Sequence, residues 1–543
     1  MPTALQRRHD ALLFTLAHPR DLATYARAAT DLEALVTTVD RRVRTGGRTR
    51  LAGSGVAGTP VRGAWSWALV RWLVRRWPSV FSLAHCTGDG EAVADVVRLL
   101  VSASERELPE LLDGDATAVV RAAFGAPADG APADGAPADG APADDARLCD
   151  ARALDALVSA LDRLPVTDAV RATLWARLGA ELASTDALRR EALHGALSFA
   201  RAPAARPFLL PDGPERDVDV RGVLDAPPPR EVPLPSAAAT RLIEVARIVL
   251  ALLGRETEPI THPSTVTLHD MGRGLRIALF ALAPPQRLPF DSYVGFMAFR
   301  NGVPLAYGGA WIYPGRSKVG INVFPSQRGG ESRWTFAQVL RLYRRRYAVH
   351  AFEAENYQLG HGNAEGLRTG AYWFYWRLGF RPADPAQARL AAREYARLRA
   401  GRGYVVPRRL LRALVAEGLV LTVAPDPVAP TDTAALTLAV HRTIMTRHGG
   451  DRRAAQRAAM RQLSRLLPLT ARRGWTAGER AALAQWALPL AAIEDLAMWP
   501  VADRRALVGI VRAKAAPDER RHQQRLRRHT RLLDAWRRLS ETA

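Results

Sequence analysis

Apolar residues recur every three to four positions along most of this chain and crowd into short strand-like runs in its middle. The helical spacing predicts helices over residues 21–43, 65–77 and 91–112, and again over 155–164 and 167–182. A further helix is expected over 237–253. The pattern then shortens, and residues 275–282, 293–300, 303–313, 317–324 and 349–356 read as strands. Asn301-Gly302 joins the second and third of these, because that pair tolerates the positive φ of a two-residue turn. Pro325 and the Gly329-Gly330 pair stop the fourth strand. Phe336, Val339, Leu340 and Tyr343 restore the helical period directly afterwards, and residues 367–378 form a short aromatic helix closed by Gly379. Helices fill the remainder: 385–400, 407–417, 434–448, 452–467, 477–490, 503–513 and a final one over 517–539.

Two stretches interrupt this pattern. Residues 125–144 repeat Gly-Ala-Pro-Ala-Asp four times, which holds neither helix nor core and reads as a disordered acidic linker or exposed loop. Residues 202–235 are proline-rich and include Pro227-Pro228-Pro229. The expected organisation is a helical region at 1–120, a linker at 121–146, a helical region at 147–201, a proline-rich linker at 202–235, a core at 236–384 and a helical, arginine-rich region at 385–543.

The chemistry concentrates in the core. A strand, a glycine-rich turn and a helix N-terminus gather unpaired backbone N–H groups at the positive end of a helix dipole, an arrangement suited to phosphate, and Arg328 adds a charge. Taken alone, the same turn also reads as plain punctuation. Glu353 and Glu355 lie two apart on the last strand and share a face, so either could act as a general base; a solvated edge is the other reading.

Val323-x-Pro-x-x-Arg328-Gly329 resembles the fourth-strand end and pyrophosphate loop of the GNAT (acyl-CoA N-acyltransferase) superfamily. Ala371, Tyr375, Arg377, Gly379 and Phe380 are similar to its closing pattern, a tyrosine before a basic residue and a terminal Gly-Phe. The resemblance covers about residues 293–382. It implies an α/β (α+β) fold, a GNAT-like core with a mixed, mostly antiparallel sheet, here flanked by mainly α-helical N- and C-terminal regions. It also implies acyl transfer from acetyl-CoA or another acyl-CoA to an amine, without a metal. In its terms the backbone near Ile321 and Val323 holds the pantetheine arm. Gln327, Arg328, Gly329 and Gly330 hold the pyrophosphate, and Tyr375 protonates the leaving thiolate. Tyr375 can equally be one packing aromatic among Tyr372, Trp373, Phe374 and Trp376. Of the two carboxylates, Glu355 is nearer the place where the superfamily's fourth and fifth strands splay. Glu331 stands where the superfamily usually has a glycine, so its charge is expected to oppose the pyrophosphate.

Charge widens the choice of partners. The formal net charge is +22, and Lys318 and Lys514 are the only lysines among 76 basic residues. Such a balance favours acidic partners. A non-catalytic GNAT-like protein whose arginine-rich helices bind nucleic acid or an acidic protein is therefore the alternative, as is a transferase whose donor is aminoacyl-tRNA or acyl carrier protein. Trp65, Trp67, Trp72 and Trp77 interleave with Arg71, Arg75 and Arg76, the pattern of an amphipathic helix with one buried face. Cys86 and Cys149 offer no disulfide framework and no metal spacing, which points to a reducing cytoplasm. The apolar run at 11–17 is too short to span a bilayer, and no transmembrane segment is expected.

Overall fold

The computed structural model describes residues 3–44, 61–112, 115–125, 143–184, 206–215, 217–401, 403–425, 433–469 and 474–541. The repeat expected to form a linker lies outside the described residues over 126–142, as does the Cys149 side chain. The protein is mixed α/β, with many helices and a mixed, mostly antiparallel sheet. It divides into two compact units, residues 1–213, 235–261 and 300–304 in one and 214–234, 262–299 and 305–543 in the other.

The first unit packs its helices on a small antiparallel sheet of β1 (Arg62–Gly63), β2 (Phe81–Cys86) and β3 (Ala180–Ser184), ordered β1-β3-β2. Residues 1–120 are therefore not wholly helical. Phe81, Leu83 and Cys86 are buried between more exposed neighbours, a strand pattern too short to stand out among helices. The helix expected over 167–182 stops at Leu178, because Gly179 turns left-handed (φ +56°) and the chain leaves as β3. The tryptophan helix Trp67–Arg76 buries Trp67, Leu69, Val70, Leu73 and Val74, and Trp65 and Trp77 join the same core.

In the second unit eight strands form one sheet: β4 (Arg230–Val232), β5 (Pro263–Gly272), β6 (Leu275–Leu282), β7 (Ser292–Arg300), β8 (Val303–Tyr313), β9 (Arg316–Val323), β10 (Ala351–Ala354) and β11 (Leu419–Thr422). Their order is β11-β10-β9-β8-β7-β6-β5-β4. β8 and β9 are antiparallel, as are β10 and β11, whereas β9 and β10 run parallel. Asn301 (φ +46°) and Gly302 (φ +91°) make the expected tight turn between β7 and β8. The helix Ser332–Tyr347 covers one face, with Phe336, Val339, Leu340 and Tyr343 buried and the Tyr343 hydroxyl donating to Val294 O at 2.8 Å.

Helices beyond residue 433 build a core of their own around Trp486, Leu526, Leu532, Leu533 and Trp536. The final helix is two, Arg520–Arg528 and Thr530–Glu541. At the break His529 is buried, its Nε2 facing Asp503 O at 3.0 Å while Nδ1 accepts the Leu532 N–H. Two buried groups tie these helices to the sheet. Arg287 donates to the carbonyls of Leu282, Lys514, Ala516 and Pro517. Gln523 donates to the Ser292 hydroxyl at 2.8 Å, 231 residues away in sequence. No helix among the described residues is long and apolar enough to cross a membrane.

Candidate functional site

The site begins where β9 and β10 part. Their parallel ladder pairs Arg316 with Ala351, Ser317 with Phe352 and Lys318 with Glu353. β10 then ends at Ala354, where the chain turns into the helix Asn356–Leu359, while β9 continues to Val323. The edge of β9 from Gly320 to Val323 is thus without β10, and Ile321 and Val323 on it are half-buried.

Tyr375 reaches this edge. The helix expected over 367–378 is two short ones, Ala364–Thr369 and Ala371–Arg377, because Gly370 turns left-handed (φ +68°) between them. Phe336 and Phe380 meet the Tyr375 ring edge-on at 5.6 and 5.3 Å and fix it in place. Burial pushes the Tyr375 phenol well above its ordinary range, and the backbone N–H of Ile321 is the group that opposes this. Beyond that N–H the buried hydroxyl has no partner among the described residues, so its own proton is donated to nothing. A hydroxyl left in that state costs about 1–3 kcal/mol, so it stands ready to bond an incoming group. It is also fully protonated at neutral pH, as a proton donor must be. Burial raises the Tyr372 phenol as well, and its hydroxyl completes no bond, but no Ile321 N–H faces it.

Glu353 and Glu355 share a face, each matched by a cation from β9. Glu353 pairs with Arg316, and Glu355 pairs with Lys318 at 3.0 Å. Glu355 lies one residue past the strand, at the N-cap of the next helix, with 53% of its side chain exposed. Exposed pairs of this kind are worth about 0–1 kcal/mol, so Glu355 is readily exchanged to another cation.

The glycine-rich turn is tighter than a bare run of donors. Pro325–Gln327 form a 3₁₀ turn, in which Gln327 N–H donates to Phe324 O, Arg328 N–H to Pro325 O and Gly330 N–H to Gln327 O. Three of the four amides assigned to phosphate therefore already serve the turn. Gly329 sits at φ +88° with open space around its Cα, and Arg328 pairs with Glu365 at 2.7 Å. The first amides of the helix Ser332–Tyr347 follow at once, and a helix leaves those without internal partners.

Glu331 does not lie bare at this terminus. Its carboxylate is buried, takes the Arg273 guanidinium at 2.7 Å and accepts the Glu215 backbone N–H at 2.9 Å. The charge expected to oppose phosphate is matched by a residue 58 positions away, which local pattern could not reveal.

Family models, curated proteins and solved structures give no match to the chain.

Elsewhere much of the basic surplus is turned to the backbone. Arg341, Arg344 and Arg345 donate to carbonyls of residues 224–227, and Arg527 to Ala348 O. A row on the helix Arg452–Leu466 differs: Arg453, Arg457, Arg461 and Arg465 are exposed and make no ion pair among the described residues. No group of three or more His, Cys, Asp or Glu that could hold a metal occurs among the described residues. Burial pushes the Cys86 thiol up to about 11, leaving it inert at neutral pH.

Proposed function

We propose that the eight-stranded sheet of the second unit, with the helix Ser332–Tyr347 packed on it, forms a GNAT-like N-acyltransferase core that moves an acyl group from acyl-CoA to an amine. The observation that carries this reading is the parting of the parallel pair β9 and β10 with the buried Tyr375 hydroxyl, its proton undonated, against Ile321 in the opening. The freed edge near Ile321 and Val323 offers backbone groups to the amides of a pantetheine arm. Arg328, the Gly329 amide and the first turn of the helix Ser332–Tyr347 supply positive potential for the pyrophosphate. Gln327 and Gly330 shape that turn.

The chemistry balances with groups already present. An ammonium gives a proton to Glu355, directly or through water, with Glu353 the second candidate, and the amine nitrogen bonds to the thioester carbonyl carbon. As the C–S bond breaks, Tyr375 passes its proton to the departing sulfur. Of the two protons still on nitrogen one goes to solvent and one stays on the amide; Glu355 releases its proton to solvent, from which the phenolate is reprotonated, leaving an amide and free coenzyme A.

Thermal unfolding with acetyl-CoA, free coenzyme A and a long-chain acyl-CoA tests the donor site. A ligand present at a hundredfold over its dissociation constant adds about 2.7 kcal/mol to the folded state. A clear rise in melting temperature with any of the three supports the reading, and no rise with all three overturns it.

The exposed arginine row at 453–465 favours a second reading, in which a polyanion such as tRNA binds that helix. Like charges four apart cost about 0.2–0.5 kcal/mol per pair on a helix, and a phosphate backbone would relieve that cost. Under it, affinity for RNA falls steeply with salt and the slope shrinks when the four arginines become glutamine.

A further inference from the structure

The opposite face of the same strands carries a shelf. The Phe296 ring meets Tyr343 of the covering helix, so Tyr293, three positions earlier on the strand, points the other way. There Tyr293 stacks on Trp311, ring centroids 4.2 Å apart and planes 8° from parallel, both half-buried. Gly309 pairs with Gly320 across β8 and β9, and Trp311 with Lys318, so all four share this face. The two facing glycines remove adjacent side chains from the sheet surface. A Cβ on Gly309 would lie 2.6 Å from the Tyr293 ring, and one on Gly320 would lie 2.9 Å from the Gln358 side-chain amide. That amide makes no hydrogen bond among the described residues. Beyond it stand the Lys318–Glu355 and Arg316–Glu353 pairs.

We propose that this shelf binds the acyl acceptor and that the acceptor is a zwitterionic α-amino acid with a flat, apolar side chain; the acceptor role rests on the acyltransferase reading above. An α-amino carboxylate carries both charges needed to exchange with the Lys318–Glu355 pair. Its ammonium takes Glu355, its carboxylate takes Lys318 and the Gln358 amide, and its side chain lies against Trp311 and Tyr293. A simple amine would leave Lys318 unmatched. A polyamine would lack a second carboxylate, since Glu353 is held by Arg316. Lysine suits this exchange better than arginine, whose planar fork would clamp Glu355 through two bonds. It is telling that a chain with 76 basic residues places one of its two lysines here. The exchange also brings the amine to Glu355, beside the parted edge where a thioester would lie.

Calorimetric titration separates this from the donor question. Phenylalanine, phenethylamine and 3-phenylpropanoate are titrated into the full chain, with and without acetyl-CoA. Phenylalanine is expected to bind at least about tenfold more tightly than either analogue, a difference of about 1.4 kcal/mol. In Lys318→Met the preference for phenylalanine over phenethylamine falls below about threefold, and in Trp311→Ala phenylalanine weakens far more than alanine does. Unchanged melting curves show that each variant is folded. Equal binding of phenylalanine and phenethylamine, or no binding of phenylalanine, overturns the proposal even if acetyl-CoA binds. Phenylalanine binding to a protein that binds none of the three donors overturns the acceptor role and leaves an amino-acid site.

Discussion

Tyr375 and His269 are buried polar groups whose contributions can be separated by single substitutions. Tyr375→Phe removes a buried hydroxyl whose proton is donated to nothing, so the melting temperature is expected to hold or rise. If that hydroxyl protonates the leaving thiolate, turnover followed by coenzyme A release falls by about 100-fold. A packing role alone would leave turnover unchanged. His269 on β5 is 2% exposed, and burial, then the Arg346 charge, pulls its pKa down to about 4. Its neutral form is the stable one, so this contribution is complete above the ordinary value of 6.5 and is lost as pH falls through 4. The loss amounts to about 3 kcal/mol, and His269→Gln is expected to remove that share of acid destabilisation in urea titrations between pH 7 and 4. Asp291 acts in the opposite sense. Burial raises its pKa to about 6, so its contribution is complete below 3.8 and is lost as pH rises through 6. Comparing variant with parent isolates the histidine.

Among the elements, β8 and β9 carry most of the site, and their close approach depends on a glycine. A Cβ on Gly308 would lie 2.2 Å from Gly320 O and 2.8 Å from the Phe296 ring. The backbone oxygen cannot swing aside, so Gly308→Ala is expected to cost more than about 3 kcal/mol, read as a lower urea midpoint. β8 was legible from end to end, because an Asn-Gly turn fixes its start and its run of apolar residues is long. β11 was not, since four residues acquire strand character only by pairing with β10, whose own partners are distant in sequence. β5 hides its period behind Thr265, Thr267 and His269. The breaks at Gly370 and His529 were also hidden, one set by a left-handed glycine inside an apolar run and the other by Asp503 reaching in from another helix. In the site, Tyr375 and the glycine-rich turn could be picked out because each lies in a short motif. The Glu331–Arg273 pair and the Gln358 amide over Gly320 could not, because each is made by two segments that meet only after folding.

For the second unit as a whole, Arg287 is the residue that joins sheet and C-terminal helices most directly. Arg287→Met leaves the carbonyls of Lys514, Ala516 and Pro517 without that donor and takes from Glu519 one of its two cations, Lys514 being the other. Breaking a buried charged network in this way costs about 3–5 kcal/mol. Hydrogen exchange over residues 520–541 should accelerate selectively, and unchanged protection there would show that the helices hold by apolar packing alone. Removing residues 517–543 is not a clean probe of surface charge, because it takes Leu526, Leu532, Leu533 and Trp536 out of a core.

The bond from Gln523 to Ser292 also has a meaning in time. A ribosome adding about 5–20 residues per second delivers β7 on the order of 10–50 s before Gln523, 231 residues later. Through that interval an apolar strand has its neighbours in the sheet but not the helix that finally bonds to its first residue. The nascent chain must keep a sticky surface from other chains for far longer than the sheet needs to form, so the yield of folded protein is set by synthesis speed and chaperone supply as well as by final stability.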